Sequence, residues 1–119
     1  VLSMPTLAIQ NLIPKLGRSM KSGYKVVWTD HALGGLRQTV SYLEENFSER
    51  EIKRLANKIE STLALIATHP AIFPESPRRK GVRRVVILRL NSLYYRVNDR
   101  QIEIISFFSN RQDPKKSEF

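Results

Sequence analysis

The sequence predicts an α+β fold of order β-α-α-β-β-β, in which a helical hairpin packs on one face of a small antiparallel sheet. Two observations lead there. Residues 82–88, 93–97 and 102–108 are three runs rich in β-branched and aromatic side chains. They are separated by the short polar links Leu90-Asn91-Ser92 and Asn98-Asp99-Arg100-Gln101, the pattern of an antiparallel meander. Upstream, two consecutive stretches repeat apolar residues at helical spacing, and the stripe they share has to bury against that sheet.

The chain has 119 residues, 41% of them hydrophobic and 26% charged, which suits one modest core. Its net charge is +9. Residues 78–119 hold eleven Lys and Arg against four Asp and Glu, a balance of +7, so the predicted sheet and tail carry most of the charge. Such a surface favours a polyanionic or acidic partner, nucleic acid or protein. No apolar run approaches the roughly 20 residues that span a bilayer, so no membrane association is expected. With no cysteine and only His31 and His69, far apart, neither a metal site nor another cofactor is expected.

Residues 1–23 read as an extension. Leu7, Ile9, Leu12, Ile13 and Leu16 form an apolar stretch interrupted by Pro14 and closed by Gly17, and Met20 is a candidate initiator. The extension lacks the basic start and long apolar centre of a secretory signal, and a cytoplasmic location is expected. The remainder, residues 24–119, reads as one domain.

Tyr24, Val26 and Trp28 alternate with Lys25 and Val27 as a short strand, and Thr29 or Asp30 is placed to cap a helix behind it. Leu33, Leu36, Val40 and Leu43 give that helix its apolar stripe. Gly34-Gly35 implies either a late helix start or a close approach to its backbone, because a glycine inside a helix costs about 1 kcal/mol relative to alanine. Ser48-Glu49-Arg50-Glu51 matches a capping box and opens a second helix with Ile52, Leu55, Ile59, Leu63 and Ile66 on one side. His69-Pro70 ends it. Residues 71–80, with Pro74 and Pro77, look too irregular for an element, with Phe73 pinned to the core.

The chain resembles the RelE/ParE superfamily of toxins from type II toxin–antitoxin modules, often labelled plasmid stabilisation proteins. The matching pieces run from Val26-Val27-Trp28-Thr29-Asp30-His31-Ala32-Leu33 through His69-Pro70, Phe73-Pro74, Val82-Arg83-Arg84, Leu93-Tyr94-Tyr95-Arg96-Val97 and Ile102-Glu103-Ile104 to Asn110-Arg111-Gln112-Asp113-Pro114. The resemblance implies the β-α-α-β-β-β fold, growth inhibition and a cognate antitoxin encoded nearby. One branch of the superfamily cleaves messenger RNA on the ribosome, and the other inhibits DNA gyrase.

Metal-free RNA cleavage needs a base for the ribose hydroxyl, cations for the phosphorane and an acid for the leaving oxygen. By resemblance, Arg83, Tyr95 and Arg111 are the candidates for such work. Ser92 stands where that branch carries an arginine, and residues 112–119 hold neither His nor Tyr. The paired Arg83-Arg84 and the Asn110–Pro114 ending look closer to the ParE-like branch. The expected function is therefore gyrase inhibition through binding, with ribosome-dependent mRNA cleavage as the alternative. Arg78, Arg79, Lys80, Arg83, Arg84, Arg89 and Arg111 are the candidate target-binding cations. Leu36, Val40, Leu43, Ile52, Leu55 and Ile59 are the expected groove for an antitoxin helix, and both a homodimer and a toxin–antitoxin hetero-oligomer are open. As neighbours in a strand, Arg83 and Arg84 are expected to face opposite sides of the sheet. Arg96 and Glu103 are expected to pair across strands.

Overall fold

A computed structural model describes residues 24–110. The elements are β1 (Lys25–Trp28), α1 (Asp30–Asn46), α2 (Glu49–Thr68), β2 (Glu75–Ser76), β3 (Arg79–Ile87), β4 (Asn91–Asn98) and β5 (Gln101–Ser109). All five strands form one sheet in the order β1-β5-β4-β3-β2. The meander is antiparallel as expected. β1, however, joins β5 in parallel, with Lys25 opposite Gln101 and Trp28 opposite Ile104, which makes the sheet mixed. The two helices and the meander supply the long crossover that a parallel pair requires.

The connector contributes more than its sequence suggests. Glu75 and Ser76 pair with Arg83 and Arg79 of β3 across a bulge. Pro74 and Pro77 flank this two-residue edge strand, where a missing N–H costs no ladder bond. The polar links are also shorter than the sequence suggests. Asn91 and Ser92 belong to β4 and are buried. The turn is Leu88-Arg89-Leu90, with Leu88 and Arg89 at φ of 52° and 72°. Asn91 holds it shut by donating from Nδ2 to the Ile87 carbonyl at 3.0 Å.

Thr29 caps α1. Its Oγ1 accepts from the Ala32 amide at 3.2 Å and donates to the Ile104 carbonyl at 2.9 Å, which ties the start of the helix to β5. Ser48 occupies the cap position of α2, but its side chain makes no cap bond, so the expected capping box does not form. α1 runs unbroken through Gly34-Gly35. Its buried side is Ala32, Leu36, Thr39, Val40 and Leu43, with Leu33 only half-buried. The whole expected stripe of α2 is buried. Both helices pack on the sheet face that presents Val85, Ile87, Leu93, Tyr95, Ile104 and Phe107. No helix among the described residues is long and apolar enough to cross a membrane.

Candidate functional site

Strand alternation sorts the candidate residues between the two faces of the sheet. Arg83 pairs with Tyr95 and Val85 with Leu93, toward the helices. Arg84 pairs with Tyr94 and Val86 with Ser92, on the other side. The adjacent arginines are thus divided as expected, and their roles differ accordingly.

Arg83 is half-buried and committed to the connector. Its Nη1 donates to the Phe73 carbonyl at 2.6 Å, and Nη2 lies 4.0 Å from Glu75 Oε2. Tyr95 is fully buried beside it, and its hydroxyl donates to the Pro70 carbonyl at 2.7 Å. Burial pushes the Tyr95 phenol above its usual range, while Arg83 pulls the other way without reversing the shift. The two candidate catalytic groups therefore do come together, but as a structural lock on residues 70–75. The Tyr95 hydroxyl is thus turned to the Pro70 carbonyl beneath the helices and away from the surface. Arg111 lies outside the described residues.

The accessible cations form a different set. Arg84 is exposed, with Nη2 3.3 Å from Ser92 Oγ. Arg78, Arg79 and Lys80 are exposed on the hairpin between β2 and β3. That hairpin is shaped by Gly81 at φ 85°, whose amide donates to Glu75 Oε1 at 3.2 Å. Arg89 is exposed at the tip of the next turn. Arg78, Arg79 and Lys80 sit where β2 turns into β3, and Arg89 sits at the other end of β3, in the turn to β4. Arg96 pairs with Glu103 as expected, Nε to Oε1 at 2.6 Å.

The expected antitoxin groove is not open. Leu36, Val40, Leu43, Ile52, Leu55 and Ile59 are at most 8% exposed and lie in the core between the helices and the sheet. One amphipathic stripe cannot both face the sheet and receive a partner helix, and burial against the sheet takes all six residues. The apolar side chains that remain exposed on the helical hairpin are Phe47 at its turn and Leu65 near the end of α2. Sequence reasoning also missed the carbonyls of Pro70 and Phe73 as the partners of Tyr95 and Arg83. Main-chain acceptors leave no trace in side-chain identity; Pro70 and the pinned Phe73 were the available hints.

Two helices on one face of a five-stranded mixed sheet define a small α+β protein. A family model described as "ParE toxin of type II toxin-antitoxin system, parDE" matches residues 26–114. The chain belongs to this ParE toxin family. Among solved structures, a chain of a chromosomal ParDE toxin–antitoxin system from P. aeruginosa has a similar fold. Its TM-score is 0.60 at 16% identity, over 71% of this chain and 92% of that one. The search of curated proteins returned no match.

Proposed function

We propose that this toxin acts by binding and inhibiting DNA gyrase and is neutralised by a cognate antitoxin encoded nearby. The observation that carries the reading is the ParE family match across residues 26–114. The site geometry supports a binding mode over the alternative of ribosome-dependent mRNA cleavage. Tyr95 is buried and protonated and Arg83 is occupied by main-chain carbonyls, whereas the exposed cations Arg78, Arg79, Lys80, Arg84 and Arg89 need only meet an acidic surface. The fold-mate's origin in a toxin–antitoxin system supports an antitoxin as partner. With the hairpin stripe buried, an acidic segment meeting the β2–β3 edge is the complementary mode of engagement.

Incubating the purified protein with gyrase and plasmid, and separately with ribosomes programmed with messenger RNA, tests this. Loss of supercoiling with intact RNA is the expected result. Site-specific RNA cuts with normal supercoiling would overturn it. Copurification with the product of the neighbouring gene tests the antitoxin.

A further inference from the structure

One end of the sheet, where β1, β3 and β5 begin and β4 finishes, gathers cations that are far apart in sequence. β1 runs parallel to β5, and β4 runs against both β5 and β3. Lys25, Arg96, Arg100 and the hairpin residues Arg78, Arg79 and Lys80 therefore meet there, and all six are exposed. Tyr24 holds Arg100 in place, with the guanidinium 5.7 Å from the ring centroid. Two acids stand among these cations, Asp99 and Glu103, and Glu103 is already joined to Arg96. Glu75, higher on the neighbouring edge, is turned to the Gly81 amide and Arg83. Six cations against two acids leave this end strongly positive.

We infer that this rim docks on the phosphate backbone of duplex DNA, independently of base sequence. An acidic protein would offer the same sign of charge, but a protein contact is centred on apolar anchors. Among the described residues of this end, the large apolar side chain left exposed is Val97, which pairs with Ile102 on the helix side of the sheet. Alternation turns Lys25 and Arg96 to the other side. Phosphates ask only for cations and polar groups. The width suits a duplex as well. Lys25 on β1 and Lys80 on β3 are three strand spacings apart, about 14 Å, enough to straddle a minor groove about 6 Å wide and meet a phosphate of each strand. This contact needs no gyrase and goes beyond gyrase inhibition.

Fluorescence anisotropy of a labelled 20-base-pair DNA duplex titrated with the full chain, without gyrase, tests the inference apart from the supercoiling assay. With about four phosphates neutralised, affinity should fall roughly a hundredfold between 50 and 200 mM salt, and duplexes of unrelated sequence should bind alike. Reversing the rim in Lys25→Glu, Lys80→Glu, Arg100→Glu should weaken binding at 50 mM salt at least tenfold. The control reverses three exposed cations on the outer side of α2, Lys53→Glu, Arg54→Glu, Lys58→Glu, with the same change in net charge, and should cost threefold or less. Thermal melts verify that each variant is folded, and Lys25→Gln with Lys80→Gln replaces a rim variant that is not. Equal losses in rim and control variants, no binding at 50 mM salt, or a salt effect below tenfold would overturn the inference. So would competition by polyglutamate as effective as that by unlabelled duplex, or tighter binding of an RNA duplex of the same length.

Discussion

Gly35 of α1 lies directly against the backbone of Phe107 in β5: a Cβ built on Gly35 stands 1.9 Å from the Phe107 carbonyl oxygen and 3.1 Å from its carbon. Neither main chain can yield without breaking the helix or the ladder, so Gly35→Ala forces the two apart. The expected cost is about 3 kcal/mol or more, at the upper end of overpacking effects. Its neighbour gives the control. A Cβ on Gly34 meets nothing within 4 Å, and Gly34→Ala should stabilise by about 0.5–1 kcal/mol through helix propensity and a less disordered unfolded chain. Thermal melts of the two variants should move in opposite directions. Equal shifts would contradict the close approach.

Tyr95 governs a pH effect on the alkaline side. Its folded pKa is raised above the ordinary tyrosine value of 10.0, mainly by burial, so the folded state holds the proton that the unfolded state releases. The associated stability is complete below pH 10 and is lost as pH rises through the folded pKa. Tyr95→Phe removes that component together with the bond to the Pro70 carbonyl. The variant should lose about 1 kcal/mol near neutral pH and show a shallower decline above pH 10 than the parent. Parallel denaturation curves against pH for the two proteins would refute the assignment.

The residues behind these effects show how far the sequence could be read. The helical period of Ile52, Leu55, Ile59, Leu63 and Ile66 and the alternation of Val85, Ile87 and Leu93 are local patterns, and the burial pattern follows them. Gly35 was legible as a choice between a late helix start and a close contact, and Phe107 decides it. The parallel pairing of β1 with β5 was not legible, because it joins residues more than seventy positions apart. At the site, the division of Arg83 from Arg84 follows from alternation alone. The occupation of Arg83 by the Phe73 carbonyl depends on the path of an irregular connector, and no side-chain pattern encodes that path.

The Arg96–Glu103 pair is short but partly exposed, with the arginine side chain 48% accessible. Solvent and salt screen such a pair, and its net worth is at most about 1 kcal/mol. A double-mutant cycle on Arg96→Ala and Glu103→Ala at low salt should return a coupling of about 0.5 kcal/mol that fades at high ionic strength. A coupling of several kcal/mol, unchanged by salt, would mean the pair is shielded in a way the sheet does not display.

Arg83 and Arg84 are neighbours with separable duties, and this gives the sharpest test of the binding surface. Removing the Arg83 guanidinium leaves the Phe73 carbonyl without its charged donor and frees the segment that Tyr95 also holds. Arg83→Ala should therefore destabilise by about 1.5–3 kcal/mol, as for loss of a charged hydrogen bond. Among the described residues the Arg84 side chain hydrogen-bonds Ser92 Oγ at 3.3 Å, and the residue is exposed, so Arg84→Glu should change stability by no more than about 0.5 kcal/mol. If the cationic face meets an acidic partner, the same charge reversal should weaken gyrase inhibition by about tenfold, and raising salt should shrink the difference between parent and variant. Chemical denaturation and a supercoiling assay on both variants separate the two roles. Unimpaired inhibition by Arg84→Glu would remove Arg84 from the contact surface, while a large stability loss in that variant would show that its role lies in the fold.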